Sequence, residues 1–319
     1  MTQSLPSKVR EHRYLVTGAA GFIGSHLCRA LAQLDGAEVR AVDNEMFGRW
    51  GSTGETGNIQ AIDADIRGLD ATDWARDLDG IDTVFHLAAQ KLNNATSSDD
   101  LLATNLVATN RLFEAAVSAG VRRIVFASSL YAHGRTSAPA LREDDRAEPP
   151  TLYGVTKLAG EGMLRTLQAR NGIETVSLRL FFVYGPRQYV GLGYPSVIVR
   201  NFERLLGGEQ PQINGTGQQR LDYVYIADVV EAFLRAAHGD FTGVCNIGSG
   251  TAISVNELTA AMCRVSGADD DAKSAPADWT DGTFRAADTS RASKVLGWTA
   301  STALDEGLSE VWDWLRTRD

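Results

Sequence analysis

The sequence predicts an α/β protein in which helices cover both faces of a parallel sheet, followed by a smaller C-terminal lobe. Short β-rich apolar runs alternate with longer helical stretches as far as Gly185, which is typical of a doubly wound fold. Beyond it the chain becomes rich in glycine and proline, in PRQYVGLGYPSV. We therefore expect one domain over residues 1–180, a second lobe mainly over 181–319, and later segments near 222–250 that return to the first domain.

The alternation of strands and helices follows the chain in order. The predicted elements are the strand RYLVTG (13–18), the helix FIGSHLCRALAQL (22–34), the strands EVRAVD (38–43) and DTVFHLAA (82–89), a helix over about 101–119, the strand RRIVFASS (122–129), a helix through Tyr153 and the strand ETVSLRLFFVYG (174–185). The segment TALDEGLSEVWDWLRTR has apolar residues at helical spacing and predicts a terminal amphipathic helix.

Composition narrows the function. The 319 residues carry a formal net charge of −9 and no Lys/Arg run, so the sequence predicts no nucleic-acid partner. Its apolar runs are too short to cross a bilayer, and the first residues lack the apolar stretch of a signal peptide. Cys28, Cys245 and Cys263 form no C-x-x-C pair, which indicates neither a disulfide framework nor a metal site. We expect a cytoplasmic protein without a membrane partner.

A glycine-rich turn joins the first strand to the first helix. Gly18, Gly21 and Gly24 have the spacing G-x-x-G-x-x-G, with Phe22 and Ile23 opening the helix. Glycines let the backbone turn tightly and approach a pyrophosphate, and the helix N-terminus faces the anion. A strand before the turn and a helix after it are the context that this motif requires. The turn predicts a Rossmann-type site for a dinucleotide.

Asp43 closes the next strand, followed by Asn44. An acidic residue about 20 positions after the glycines can bind the ribose hydroxyls of NAD and repel the 2′-phosphate of NADP. No arginine follows it immediately. The sequence therefore predicts NAD as the cofactor, with both residues in its site.

Tyr153 and Lys157 are four residues apart in PTLYGVTKLAGE and share one face of the predicted helix. An ammonium group beside a phenol favours the phenolate and makes the tyrosine a better acid and base. The alternative is a pair of surface side chains that merely meet.

Eight segments together resemble the extended short-chain dehydrogenase/reductase family, in its branch of NAD-dependent nucleotide-sugar epimerases and dehydratases. In the family's order they are TGAAGFIG, DADIRG, FHLAAQK, FASS, YGVTK, LRLFFVYGPRQ, DYVYIADVVEAF and ADTSRASKVLGW. The resemblance covers nearly the whole chain. It implies a nucleotide-sugar substrate and a homodimer formed through two helices of each subunit, near 101–119 and 153–170.

The resemblance also implies roles for individual residues. Tyr153 would be the catalytic acid and base, Lys157 would hold the nicotinamide ribose, and Ser129, preferred over Ser128, would bind the reacting sugar oxygen. Further cofactor contacts implied by the family's motifs are Asp65, Ile66, Leu87, Ala88, Ala89, Lys91 and Asn105. Asn105 remains equally open to a purely structural reading as a polar residue inside a helix.

The reaction type depends on the residues after Ser129. The family's dehydratases carry an Asp-Glu pair there, whereas this chain has Leu130 and Tyr131. Neither is a carboxylic acid, so elimination lacks its second acid/base group. This favours an epimerase, with inversion at C4 of the sugar. The alternatives are a sugar or sugar-acid dehydrogenase or reductase, a 4,6-dehydratase, and a non-catalytic NAD-sensing protein.

The substrate side departs from the family. Phe182 stands in place of an asparagine, and Leu221 and Asp278 stand in place of arginines that usually contact the nucleotide diphosphate. Phosphate binding relies on charged donors, so other residues must supply them if the substrate carries a diphosphate. The predicted substrate contacts are Ser129, Tyr131, Phe182, Arg187, Arg220 and Arg285, with Arg220 the first candidate.

Overall fold

The strands and helices alternate through most of the chain. The computed structural model describes residues 12–54, 57–91, 97–134, 140–188, 196–278 and 280–318. Its strands are β1 Arg13–Thr17, β2 Glu38–Asp43, β3 Ile59–Asp63, β4 Thr83–His86, β5 Arg123–Ser129, β6 Glu174–Leu180, β7 Phe182–Tyr184, β8 Gln212–Asn214, β9 Arg220–Tyr225, β10 Gly243–Ile247, β11 Ala252–Ser254, β12 Lys273–Ala275 and β13 Phe284–Arg285. Its helices are α1 Phe22–Ala32, α2 Ala71–Asp77, α3 Ser98–Leu102, α4 Thr109–Ser118, α5 Leu152–Asn171, α6 Val197–Leu206, α7 Ile226–His238, α8 Val255–Ser266, α9 Ser290–Leu296 and α10 Leu304–Thr317.

A seven-stranded sheet forms the larger part of the molecule. Its order is β10-β6-β5-β4-β1-β2-β3, and every neighbouring pair is parallel. The strand order reverses beside β1, which pairs with β2 on one side and β4 on the other. Ligands of open parallel sheets bind at the carboxyl ends of the strands, at such a reversal. The predicted doubly wound fold is confirmed.

Helices cover both faces of this sheet with apolar side chains. Helices α1, α7 and α9 pack on one face, and α2, α4 and α5 on the other. Phe233 and Trp298 are fully buried in the first layer, and Trp74 and Phe113 in the second. Burial of these large side chains supplies much of the driving force for folding. It also fixes where α1 and α5 lie against the sheet.

The smaller lobe is built on a mixed sheet. Strand β9 pairs with β11 in antiparallel and with β13 and β7 in parallel orientation, and β8 pairs with β12 separately. Helices α6, α8 and α10 bury their apolar faces against β7 and β9. This confirms the predicted smaller C-terminal lobe.

The segment 174–185, predicted as one strand, is two strands of different sheets. β6 belongs to the large sheet and β7 to the small one, with Phe181 between them. The Phe181 N–H still donates to the Ile247 carbonyl at 2.9 Å, so the chain leaves the large sheet only after this residue. The single-strand prediction is wrong because an apolar pattern does not show a change of partner. The step from β6 to β7 joins the two lobes.

Two further segments bear on the predicted domains. β10 returns to the large sheet beside β6, whereas β9 lies in the small sheet. β3 extends the large sheet beyond β2, although its side chains are mostly exposed and gave no strand signal in the sequence. The domain boundaries themselves stay a prediction.

The three cysteines are free thiols, and each is buried. In the described part of the chain, no cluster of His, Cys, Asp and Glu side chains has the makings of a metal site. Across the same residues, every helix is too short or too polar to cross a membrane.

Candidate active site

The glycine turn packs against the end of β4. Gly18 has φ +72°, and a Cβ there would lie 2.7 Å from the backbone nitrogen of Ala88. A Cβ on Gly24 would lie 2.0 Å from the Gly18 carbonyl oxygen. Only glycine fits at either position. Gly21 is the N-cap of α1, so the N–H groups of the first helical turn face the space where a pyrophosphate would bind.

Asp43 connects this turn to the end of β2. One carboxylate oxygen accepts a hydrogen bond from the Ala20 N–H at 3.0 Å, and the other from the Glu45 N–H at 2.7 Å. Burial raises the pKa of Asp43, and these two backbone donors oppose that shift. The carboxylate therefore shapes the glycine turn as well as lining the pocket beside it.

A cavity at the carboxyl ends of the central strands brings most of the predicted cofactor residues together. Those lining it are Gly18, Gly21, Asp43, Asn44, Asp65, Ile66, Leu87, Ala88 and Ala89. Phe22, Ile23 and Gly24 lie in α1, directly behind the glycine turn. Sequence reasoning missed Met46 and Phe47, which also line the cavity. They belong to an irregular segment after Asp43 that carries no motif.

Asp65 lies at the outer side of the cavity in a polar network. Arg67 forms an ion pair with it at 2.6 Å and bridges to Asp100 at 2.9 Å. Asn44 donates its side-chain amide to Asp65 at 3.0 Å. The hydrogen bond from Arg67 lowers the pKa of Asp65, so this rim of the cavity is ionised and fixed.

Asn105 links the cavity to the helix that carries Tyr153. It lies in a π-helical segment, Ala103–Ala108, a local irregularity that is frequent at functional sites. Its amide exchanges two 2.8 Å hydrogen bonds with the backbone of Gln90 and donates to the Thr156 hydroxyl at 3.1 Å. Asn105 is thus a clamp between the loop after β4 and α5, and its predicted contact with the cofactor stays a prediction.

Ser129, Tyr153 and Lys157 meet where β5 ends beside α5. The Ser129 hydroxyl lies near enough to the Tyr153 phenol to lower its pKa. The Lys157 ammonium lies 5.7 Å from the centre of the Tyr153 ring and donates to the Ala127 carbonyl at 2.8 Å. The structure therefore brings the three predicted catalytic residues into one group.

Ser128 points to the opposite side of β5. Its hydroxyl donates to Glu161 at 2.5 Å, and Glu161 forms a buried ion pair with Arg179 at 2.7 Å. Arg179 also contacts His133, whose ring hydrogen-bonds Asn246 at 2.9 Å. Successive residues of a strand alternate between its faces, so the two hydroxyls point apart: Ser128 is held by Glu161, and Ser129 is the serine beside Tyr153. His133 belongs to the packing network behind the site.

Burial shifts the pKa of both members of the Tyr-Lys pair. Desolvation, reinforced by the nearby charge of Lys91, lowers the pKa of Lys157 to about 7, and Glu161 opposes that shift. Desolvation raises the pKa of Tyr153, and the hydrogen bond from Ser129 opposes it. Each group loses its charged form unless a partner charge stabilises it. The pair is therefore responsive to a charge placed beside it, such as that of an oxidised nicotinamide.

A row of neighbouring aromatic side chains continues from Tyr153 into the smaller lobe. The ring of Tyr131 lies 6.0 Å from that of Tyr153, and the Arg285 guanidinium carbon lies 5.4 Å from the Tyr131 ring. Phe182 and Tyr131 pack against the same small buried cluster, and the Phe182 ring is 5.8 Å from that of Tyr223. Among the predicted substrate residues, Ser129, Tyr131, Phe182 and Arg285 therefore belong to one surface.

The other two predicted substrate arginines point elsewhere. Arg220 donates to the Ala252 carbonyl at 3.0 Å and pairs with Glu257 at 3.1 Å. It lies on the opposite face of β9 from Tyr223. Arg187, in the left-handed region with φ +63°, donates to the ring of His26 at 2.9 Å. The structure thus favours Arg285 over Arg220 and Arg187 as the cation beside the active site.

The fold and the cavity are those of a dinucleotide-binding protein that carries a Tyr-Lys pair beside the cavity. Residues 14–248 match the model of the NAD dependent epimerase/dehydratase family. The chain belongs to this family and is an enzyme of its NAD-dependent nucleotide-sugar 4-epimerase type.

Relatives differ in the sugar that they handle. The chain is 35% identical to the UDP-glucose 4-epimerase of Mycolicibacterium smegmatis over 314 residues, 96% of this chain and 99% of that one. The UDP-N-acetylglucosamine 4-epimerase of Methanobrevibacter ruminantium, solved with UDP-N-acetylmuramic acid, superposes with a TM-score of 0.92 at 28% identity, covering 98% and 100% of the two chains. MoeE5, solved with UDP-glucuronic acid and NAD, has a TM-score of 0.84 at 38% identity, covering 95% and 99%.

The two serines at the end of β5 provide a matched test of the site. Ser129→Ala removes the hydroxyl beside Tyr153, and we expect turnover of a nucleotide hexose to fall about tenfold to a hundredfold with the thermal midpoint nearly unchanged. Ser128→Ala removes a donor to the buried Glu161 carboxylate and should lower the thermal midpoint. Steady-state kinetics and thermal unfolding of both variants check this. A larger loss of turnover in Ser128→Ala would contradict the assignment of Ser129.

Asp43 should set the choice of cofactor. We expect NAD to bind at least tenfold more tightly than NADP, because the carboxylate would repel a 2′-phosphate. Asp43→Ala should weaken NAD binding and narrow this preference, as measured by calorimetry. Asp63→Ala, which removes an exposed carboxylate outside the cavity lining, is the charge-matched control. Equal affinity of the unmodified protein for both dinucleotides would rule out this role for Asp43.

Proposed function

We propose that the protein inverts C4 of a UDP-hexose through a transient 4-keto sugar while NAD stays bound. The observation that carries this proposal is the Ser129–Tyr153–Lys157 group beside a dinucleotide cavity, with Leu130 and Tyr131 as the following residues. The glycine turn supports NAD binding, because Gly18 and Gly21 line the cavity and Gly21 caps α1, whose first N–H groups suit an anion.

The chain's own residues handle the proton and the orientation of the sugar. Tyr153 takes the proton of the C4 hydroxyl, and Ser129 holds that oxygen while the charge develops. Lys157 stabilises the phenolate and is itself held by the Ala127 carbonyl. Bound NAD supplies the hydride acceptor and donor. Tyr153 later returns the proton to the same C4 oxygen, after the ketose has turned and presented its other face for reduction.

The residues after Ser129 argue against elimination of water. Leu130 is buried and apolar. Burial raises the pKa of Tyr131 to about 12, so its phenol stays neutral near pH 7. Neither side chain supplies the carboxyl group that would protonate a leaving hydroxyl. Epimerisation needs no such group.

Two exposed apolar residues support the expected homodimer. Val107 and Val155 are 50% and 44% exposed, on the π-helical segment and on α5. These elements contact each other, so the two residues belong to one helical surface. We propose that a second copy of the chain covers it, because association of identical surfaces removes apolar area from water.

Tyr153→Phe tests the mechanism while keeping the aromatic ring. We expect a loss of roughly a hundredfold or more in turnover with NAD binding and the thermal midpoint retained, because only the proton acceptor is removed. With the unmodified protein, a panel of UDP-hexoses should give a product of unchanged mass without accumulating NADH. Turnover near the unmodified level in Tyr153→Phe, or a product lighter by one water, would contradict the proposal. Net NADH formation would instead indicate a dehydrogenase.

A further inference from the structure

Glu161 is a buried carboxylate on α5 that the proposed reaction does not use. It lies four residues after Lys157, so the two side chains leave the helix on the same face, one turn apart. Glu161 is 7% exposed. Removing a carboxylate from water costs folding free energy unless other groups compensate its charge. Its position one turn from a buried ammonium group indicates an electrostatic role.

Three donated hydrogen bonds hold the two oxygens of this carboxylate. Arg179 donates its Nε to one oxygen at 2.9 Å and its Nη2 to the other at 2.7 Å. The Ser128 hydroxyl donates to the first oxygen at 2.5 Å. The two contacts from Arg179 form a bidentate, charge-assisted pair, which is the arrangement with the most restricted geometry. These contacts fix the Glu161 carboxylate in place beneath α5.

The other groups around Lys157 either disfavour its positive charge or carry no charge. Burial and, to a smaller extent, the charge of Lys91 lower the pKa of Lys157 to about 7, and the charge of Glu161 opposes them. His86, on the neighbouring strand β4, is neutral because burial and the Lys157 charge lower its pKa to about 3. The uncharged neighbours of the ammonium group are the Ala127 carbonyl and the rings of Phe126 and Tyr153. While Tyr153 keeps its proton, the charge that favours the ammonium therefore comes from Glu161.

We propose that Glu161 is a positioning residue that acts through Lys157, with a buried negative charge that keeps this lysine in its ammonium form. This inference rests on the proposed function, which makes the Lys157 charge the partner of the Tyr153 phenolate. When Tyr153 holds its proton, no phenolate is present to stabilise the ammonium. Glu161 supplies a permanent counter-charge, so the ammonium is present in both protonation states of Tyr153. Arg179 belongs to β6, one strand beyond the β5 carbonyl that holds Lys157, so it anchors the carboxylate without cancelling its effect on the lysine.

The test measures the titration of Lys157 directly in the NAD-loaded protein, by NMR of isotope-labelled lysine side chains. The chain has five lysines, and the signal that disappears in Lys157→Met is that of Lys157. Glu161→Gln keeps the size of the side chain and removes its charge, so we expect Lys157 to lose its proton at a pH about one unit lower. Glu161→Asp keeps the charge, and Lys157 should then titrate within roughly half a unit of the unmodified protein.

A second variant serves if Glu161→Gln does not fold. That substitution leaves the buried Arg179 guanidinium without its carboxylate, which is strongly destabilising. Glu161→Gln/Arg179→Met removes both charges, and replacement of a complete buried pair by neutral side chains is often neutral for stability. This double variant should still lower the pH at which Lys157 titrates. Because it removes the guanidinium as well, an unpaired positive charge cannot account for its shift.

Glu174→Gln is the matched control. Glu174 also pairs with a buried arginine, because the Nη2 of Arg123 lies 2.7 Å from its carboxylate. Glu174 is the first residue of β6, however, whereas Lys157 lies near the carboxyl end of β5. This variant should lower the thermal midpoint and leave the titration of Lys157 unchanged. The proposal is overturned if neither variant without the Glu161 charge shifts that titration, or if Glu161→Asp or Glu174→Gln shifts it as much.

The pH profile of turnover separates the failure of this inference from that of the proposed function. If the Lys157 charge supports the reaction, activity should fall at high pH as Lys157 loses its proton, and Glu161→Gln should move this fall to lower pH. A shifted titration with an unchanged pH profile supports the charge of Glu161 and contradicts the proposed role of Lys157. An unmodified protein that turns over no UDP-hexose contradicts the proposed function, while the NMR titration still decides whether Glu161 holds the charge of Lys157.

Discussion

The register of helix α5 against strand β5 is the constraint on which the active site depends. Three successive strand residues face three turns of the helix: the Ala127 carbonyl binds Lys157, Ser128 binds Glu161, and Ser129 lies beside Tyr153. The helix can approach this closely because it has glycine at position 160, where a Cβ would lie 2.7 Å from the Phe126 ring. A shift by one residue would exchange the two serines and separate Ser129 from the tyrosine.

This register also aligns two pairs of ionisable groups along one face of α5, because Tyr153, Lys157 and Glu161 are spaced four residues apart. The Glu161–Arg179 pair is buried one turn beyond Lys157, and Ser128 gives Glu161 a hydrogen bond of the kind that a buried pair requires. Nearer the start of the helix, burial disfavours both the Tyr153 phenolate and the Lys157 ammonium, and each stabilises the other when both form. The fold thus leaves the Tyr153–Lys157 pair able to change its ionisation. Asn105, in the π-helical segment, holds α5 beside the cofactor cavity through its hydrogen bonds.

Features that depend on a few neighbouring residues could be predicted from the sequence. The glycine turn, Asp43 and the Tyr153–Lys157 spacing each depend on a few neighbouring residues, and the structure brings them to one edge of the sheet. The sequence could not show that the Arg220 side chain points away from the active site, because the direction of a side chain on β9 depends on how that strand pairs. Nor could it show that Glu161 is buried in an ion pair with an arginine of β6, which depends on how α5 lies against the sheet. β3 was missed because its exposed residues lack an apolar pattern.

In the proposed reaction, one enzyme-bound cofactor takes a hydride from C4 and returns it to the other face of the same carbon. The most direct measurement follows a UDP-hexose that carries deuterium at C4, with mass spectrometry and NMR of the product. We expect an inverted C4 that keeps its deuterium, with no change of mass and no free NADH. Loss of the deuterium to solvent or to released NADH, or retention of the original configuration, would contradict it.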